Sequence, residues 1–294
     1  MGNKAETTHL GKTSKYPQKY DSSVLVKVER KENRVQYDID ENNLPFVGYD
    51  TWNAYEVSFL TKKKLPATGV LKIVYPCNSK YIVESKSLKL YLNSFNMSVY
   101  GRTRTQGIKL VEKTITEDLS KLLETRVRVH WFIEGGFNSE LVYEGYTSIE
   151  VYVDLEDIRF NKFNEAPEIL KFKTGKDLQE LNISCNLLRS NCKVTSQPDW
   201  GTLFLHLRSY NYLDLKSLVR YIVSFRNENH FHEEVVEMIY KRLYDKLDPE
   251  DMMVGAVYTR RGGIDICPSR ATSMDVLDMN LISPSTLCMK RFRQ

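Results

Sequence analysis

Residues 202–225 read TLFLHLRSYNYLDLKSLVRYIVSF, and this stretch decides the fold. Its first nine residues alternate apolar and polar side chains, as a half-buried strand does. Asp214 then stands where a helix N-cap belongs. Beyond it Leu215, Leu218, Val219, Ile222 and Phe225 fall on one face of a helix. A strand running straight into an amphipathic helix needs a sheet for that helix to cover.

Working outward, Val236, Ile239, Tyr240, Leu243 and Leu247 predict a second helix at the same 3.6-residue spacing. MMVGAVYTR (252–260) and GIDIC (263–267) predict two closing strands, and a strand leads up to Cys192. The order is strand, strand, helix, helix, strand, strand. The first half repeats it as a pattern, without close residue identity. WNAYEVSFL (52–60) and TGVLKIVYP (68–76) read as strands, followed by a helix carrying Leu88, Tyr91, Leu92 and Phe95. Thr116 is expected to cap a short helix with Glu117 and Asp118 in its first turn. RVRVHWFIE (126–134) and TSIEVYVDL (147–155) complete the half as strands. The expected class is α+β, with antiparallel sheets each covered on one face by a helix pair. Residues 1–45 are polar and predict a lead-in arm. The two halves are 46–160 and 182–294, and 161–181, with Pro167 and Gly175, is taken as their connection.

The chain has 294 residues, 41% hydrophobic and 27% charged, with a net charge of +4. That suits a globular protein with a sizeable core and does not demand a nucleic-acid partner. No apolar run is long enough for a membrane span. The N-terminus lacks the features of a secretory signal, and Glu6 stands where a myristoylation motif wants Ser or Thr. Five scattered cysteines suit free thiols in a reducing cytoplasm. The glycine-rich nucleotide loops, the nucleophile-elbow motif, the HExxH pattern and the CxxC pair are all absent from the sequence.

Four stretches can carry chemistry. In SNCKVTSQPDWG (190–201), Pro198 stiffens the chain beside Asp199, seven residues after Cys192. A fixed carboxylate near a thiol can take its proton and return it, although a buried cysteine beside a turn acid is the plain alternative. VESKSLKLY (83–91) sets Glu84, Lys86 and Lys89 around a helix start, where free N–H groups make an anion seat; the alternative is a solvated lysine face. NHFHEE (229–234) carries His230, His232, Glu233 and Glu234, but two histidines in this spacing at a helix start point apart. YTRRGGID (258–265) offers two arginines beside two glycines, suited to a phosphate or to an ordinary charged hairpin.

Together these stretches resemble the NADPH-dependent nitrile reductases that convert 7-cyano-7-deazaguanine to 7-aminomethyl-7-deazaguanine, in their longer, two-module form. VESKSLKLYLNSFN (83–96) matches that family's signature; LGKTSKYPQKYD, NLPFVGYDTWNAYEVSFL, SNCKVTSQPDWG, SFRNENHFHEE and YTRRGGIDI match elsewhere, so the likeness runs from about Leu10 to the C-terminus. The resemblance implies two tandem tunnelling-fold modules, a homodimer, and a role in queuosine tRNA modification without direct binding of nucleic acid. It implies Cys192 as the nucleophile that forms a thioimide and Asp199 as the acid. Glu84 and Glu233 would bind the base, with His232 against it and Val83 and Ser85 bordering it. Ser85, Lys86, Arg261 and Gly262 would hold NADPH, two of which are consumed per nitrile, and no metal is expected. An ordinary thiol and aspartate differ by about 4.6 pH units in proton affinity. The scheme therefore predicts a desolvated Asp199 within hydrogen-bond reach of the sulfur or of the bound nitrile. A zinc-dependent cyclohydrolase on the same fold would need three converging ligands, of which Cys192 and His232 are the obvious ones. A tRNA-binding module would lean on Lys62, Lys63 and Lys64, which read more plainly as a solvated turn.

Overall fold

The computed structural model describes residues 17–135 and 139–291. The start of the LGKTSKYPQKYD match and the Met1–Gly2 end lie outside the described residues.

In the first half a short strand β1 (Lys27–Glu29) and a helical turn α1 (Lys31–Arg34) precede two long strands, β2 (Val47–Leu60) and β3 (Pro66–Pro76). The short β4 (Tyr81–Val83), helices α2 (Ser85–Asn93) and α3 (Arg104–Leu123), and β5 (Arg128–Phe132) follow. Two-residue strands β6 (Ser139–Glu140) and β7 (Thr147–Ser148) lead to the second half. There β8 (Phe172–Cys192) and β9 (Pro198–Leu213) form a long hairpin, followed by α4 (Leu215–Ser224), β10 (Asn229–His230) and α5 (His232–Leu247). Strands β11 (Asp251–Tyr258) and β12 (Ile264–Ala271), a turn of helix α6 (Met279–Ile282) and β13 (Leu287–Cys288) end the chain.

One sheet joins both halves in the order β10-β8-β9-β11-β12-β2-β3-β5, with β7 beside β8. Apart from the parallel contacts of β10 and β7 with β8, every pairing in it is antiparallel. The halves meet where β12 pairs with β2, Ile264 opposite Ala54 through to Ala271 opposite Val47. Alternation sorts the side chains. Leu203, Leu205 and Leu207 face α4 and α5, whereas Phe204 faces the other side with Met253, Val257 and Cys267. Trp52, Ile73 and Ile266 face α2 and α3. The four longer helices, α2 to α5, thus cover one face, and segments around Tyr143 and Leu281 cover the other. Each Leu or Ile so buried contributes about 1.5–3 kcal/mol. Asp214 caps α4 as expected, its Oδ1 accepting from Ser217 N–H at 2.6 Å.

Three sequence expectations differ from the fold. The second helix of the first half starts twelve residues before Thr116, at Arg104, and Thr103 is its cap. Thr116 lies inside it and donates its hydroxyl to the Glu112 carbonyl. The alternating TSIEVYVDL does not extend as a strand, because after Thr147–Ser148 it coils into a 3-10 turn that buries Ile149. The connection assigned to 161–181 is already strand from Phe172, since β9 is long enough to pair with it. The described part of the arm is held by buried charge as well as by apolar anchors such as Val28 and Ile39. Arg30 and Arg34 are buried, and Arg34 reaches Glu237 of α5 at 2.7 Å.

Strands β11 and β12 part company. They pair only from Met253–Ala271 to Gly255–Ser269. The next residue toward the start of β12 is Pro268, which has no N–H to give, while the ladder to β2 runs on through it. A gap therefore opens between the two strands toward Tyr258 and Ile264.

Candidate active site

The gap is where the four chemical stretches converge. An inner recess of about 280 Å³ is lined by Trp52, Val83, Ser85, Cys192, Asp199, His230, Phe231, His232, Glu233, Arg261 and Ile266. An outer cleft of about 900 Å³, its open mouth included, adjoins it and adds Glu84, Lys86, Lys89, Thr195, Gln197, Thr259, Gly262 and Ile264. All ten residues to which the resemblance assigns a role line one cavity or the other.

Cys192 ends β8, and the hairpin after it is closed by its own backbone. Cys192 N–H donates to the Gln197 carbonyl at 2.8 Å, and Ser196 N–H donates back to the Cys192 carbonyl at 2.9 Å. Pro198 opens β9, at a strand start that tolerates the missing donor. Asp199 follows, opposite Ser190, and is 5% exposed, so the expected desolvation is present. Among the described residues no hydrogen bond joins it to the Cys192 sulfur. Its Oδ1 lies instead 2.9 Å from Arg261 Nη1 and 3.7 Å from His232 Nε2. His232, the first residue of α5, stands edge-on to the Tyr258 ring at 4.0 Å. The two histidines do point apart, for His230 turns to Glu228 and Glu234. Among the described residues no group of three His, Cys, Asp or Glu side chains is placed to hold a metal ion.

Glu233 is the electrostatic outlier. It is 2% exposed, and its Oε1 has no hydrogen-bond partner. Burial, and then the neighbouring Asp50 carboxylate, push its carboxyl up to about 8 against the opposing pull of Arg30 and Arg270. Behind it lies a wholly buried ion cluster: Arg270 meets Asp50 and Glu237 at 2.8 Å each, and Arg30 pairs with Asp50. Burial alone would raise Glu237, but Arg270 and Arg34 outweigh it and hold that carboxyl down at about 2. Glu233 is the one acid of the group that the arginines do not satisfy by direct contact. An unmet buried acceptor suits a ligand that brings N–H donors.

Glu84 has a part in the fold as well. It is the N-cap of α2, and its two oxygens accept from Lys86 N–H at 2.9 Å and Ser87 N–H at 2.6 Å. The anion seat foreseen in free N–H groups at this helix start is therefore corrected, because Glu84 already occupies them. The cations remain. Lys86, Lys89 and Arg261 all line the outer cleft. Gly262 has φ 61°, and a Cβ there would stand 2.9 Å from Lys89 Nζ, so the bare backbone keeps the lysine close. Three cations around an unencumbered turn fit a phosphate-bearing cofactor. Sequence reasoning missed Trp52, Tyr258 and Asp50, whose only signal was the alternation that turns them to the helix face.

A buried thiol, a desolvated acid, an unsatisfied carboxylate and a cation-lined mouth on an α+β scaffold define an enzyme-type cleft for a donor-bearing ligand beside an anionic one. Family comparison narrows that class. The family description "Nitrile reductase, 7-cyano-7-deazaguanine-reductase N-term" matches residues 16–131, and "QueF-like protein" matches residues 198–275. A protein of Colwellia psychrerythraea named NADPH-dependent 7-cyano-7-deazaguanine reductase is 39% identical over 271 residues, 90% of this chain and 92% of that one. Proteins of the same name from Rickettsia massiliae and Legionella pneumophila are 41% and 36% identical, covering 90% and 94% of this chain and 93% of each of theirs. The chain belongs to the 7-cyano-7-deazaguanine reductase family.

Proposed function

We propose that this protein reduces the nitrile of 7-cyano-7-deazaguanine to the aminomethyl group with two NADPH, a step toward queuosine in tRNA. The observation that carries the reading is the buried, unpartnered Glu233 oxygen in the same recess as the Cys192 thiol and Asp199. Glu233 accepts the paired N–H donors of the guanine-like edge, Trp52 and Phe231 enclose the ring, and the nitrile points to the sulfur. Cys192 adds to the nitrile carbon, while the thiol hydrogen passes by way of Asp199 to the nitrile nitrogen. A bare nitrile is a poor hydride acceptor because charge would build on an unsupported nitrogen; the resulting thioimide is a better one. His232 lies against the reacting group, and the half-closed recess keeps water from the imine left after the first reduction. Ser85, Lys86, Arg261 and Gly262 would hold NADPH, which supplies a hydride twice; Val83 and Ser85 border the base, and Glu84, which also fixes the start of α2, binds it with Glu233.

Several coarser features belong to this reading. The chain is two tunnelling-fold modules, 46–160 and 182–294, behind an arm and joined by 161–181. Its support is the complete strand-strand-helix-helix-strand-strand order of β8, β9, α4, α5, β11 and β12, echoed by β2, β3, α2, α3 and β5. The enzyme works in the cytoplasm as a homodimer and does not bind nucleic acid; no helix among the described residues is long and apolar enough to cross a membrane. The test is intact mass after mixing the protein with the cyano base and no cofactor. A gain of one whole substrate is expected, and it should vanish in Cys192→Ala. Near-normal NADPH oxidation by Cys192→Ala would refute the covalent scheme.

A further inference from the structure

Lys72 stands inside β3 between Leu71 and Ile73, which face the helices, so alternation turns it to the opposite face. It has no exposure. Its Nζ donates to the Asn280 carbonyl at 3.1 Å and to the Thr286 carbonyl at 2.7 Å, both in the C-terminal segment that covers this face. Its third hydrogen is left for Cys288 Sγ of β13, 3.6 Å away. These partners are two carbonyls and a thiol, with no carboxylate among them, and Asp278 spends its oxygens on the N–H groups of Tyr143, Asn280 and Leu281. A buried ammonium so placed is costly. Burial pushes the Lys72 amine below its usual value, with Cys288 and then Cys267 opposing. Burial pushes the Cys288 thiol up, with Lys72 opposing. Each group thus eases the charging of the other. Cys288 is also the one cysteine of the five that is not fully buried, so a small oxidant can reach it.

We propose that Cys288 and Lys72 are a modification site, joined by a reversible sulfur–nitrogen bond when the protein meets hydrogen peroxide. The proposal is independent of the nitrile chemistry and uses neither Cys192 nor Asp199. The thiol proton passes to the Lys72 amine, and the thiolate attacks peroxide. The O–O bond breaks, sulfur is oxidised to a sulfenic acid, and the other oxygen leaves as water. The ammonium has now lost the thiolate that favoured its charge, and burial drives its proton off to solvent. The neutral amine then attacks the sulfur. An N–S bond forms, the S–O bond breaks, and the hydroxyl leaves as water with one amine hydrogen. Both peroxide oxygens end as water, and the chain has lost two hydrogens. The bond pins the C-terminal segment to β3 across 216 residues of chain. It also takes the sulfenic acid away before further peroxide can carry it to the irreversible sulfinic state. A thiol reductant restores both groups.

The test treats the full chain with graded hydrogen peroxide, in a Cys192→Ala background so that the thiol of the recess adds nothing. Intact mass and tryptic peptide mapping follow. The expected product is lighter by two hydrogens and yields one peptide pair joined through Lys72 and Cys288, with no tryptic cut after Lys72. Dithiothreitol should restore the original mass and that cut. Adding Cys288→Ala should abolish the change. Adding Lys72→Met should instead send Cys288 on to the sulfinic acid, a gain of two oxygens that dithiothreitol does not reverse. The joined peptide is read with Lys72 in place, so the test stands even if the methionine variant fails to fold. A lysine that merely staples the C-terminal segment predicts sulfinic Cys288 beside a free Lys72 amine, and that result would overturn the proposal. A disulfide between Cys267 and Cys288 in place of the joined pair would overturn it equally. So would a Cys288 thiol that survives peroxide unchanged.

Discussion

Glu233→Gln is the substitution whose outcome the structure predicts in most detail. The free protein holds the Glu233 carboxyl at about 8, through burial and through Asp50 of β2, with Arg30 and Arg270 opposing. Glu237, one turn along α5, is already neutralised by arginines. At pH 7 only about one molecule in ten then carries the carboxylate that paired N–H donors require. Base binding must select that form, so it should release about nine-tenths of a proton at pH 7. Affinity should rise about tenfold per pH unit up to pH 8 and then level off. From pH 6 to pH 9 the gain is about 100-fold, or about 2.7 kcal/mol.

The assay is isothermal titration of the cyano base into Cys192→Ala, in buffers of different ionisation heat, across that range. Adding Glu233→Gln should flatten the profile. It should also weaken binding at pH 9 by about 1–3 kcal/mol, because the amide nitrogen faces a donor. A slope that survives in the glutamine variant belongs to the ligand, and a flat profile in the parent refutes the assignment of Glu233. The free fold answers with its own sign. An acid whose folded value is raised contributes stability fully present below its ordinary value of 4.5 and lost as pH climbs through about 8. Thermal melts of the glutamine variant should therefore lack that decline between pH 4.5 and about 8.

Two further substitutions separate binding from scaffold. Gly262→Ala forces a side chain into left-handed backbone, 2.9 Å from Lys89 Nζ. Titration with NADP+ should show affinity falling about tenfold, with base affinity nearly unchanged; equal losses would mean that the turn serves the recess instead. Arg270→Ala removes a guanidinium with no exposure and takes one cation from each of Asp50 and Glu237, leaving them to Arg30 and Arg34. Denaturant unfolding should show a loss of about 3–5 kcal/mol, and a loss below about 1 kcal/mol would contradict the view of the cluster as one unit.

What the sequence could and could not disclose follows from range. The α4 and α5 stripes, the β9 alternation and the Asp214 cap are local patterns, and each is where periodicity puts it. The start of α3 was hidden because its first seven residues bury only Gly107, so the apolar stripe begins at Val111. Gly107 itself sits so near the Phe59 ring that a Cβ would come within 2.2 Å, a packing requirement that shows up in sequence only as a helix-breaking glycine. TSIEVYVDL has a strand's alternation, but its neighbour β8 accepts only Thr147 and Ser148. In the site, the hairpin joining Cys192 to Asp199 was legible because seven residues span it. The Arg34–Glu237 and Asp50–Arg270 pairs were not, since over two hundred residues of chain separate each.

That long range is also what builds the site. The cations of residues 86–89 come from the first half, the thiol and acid from the second. The β12–β2 ladder is the element that ties the two halves into one sheet. A slip of one residue in that ladder would turn Arg270 away from Asp50 and Glu237, moving a guanidinium from the helix face to the opposite one. The buried ion cluster thus acts as a register lock. Its charges find partners only when β12 sits as it does, and the same register leaves β11 and β12 apart beyond Pro268. The recess exists because a ladder was ended there, and Glu233 is unsatisfied because the arginines behind it are already taken. Both features are departures from good packing, and both stand where a ligand would complete what the chain leaves undone.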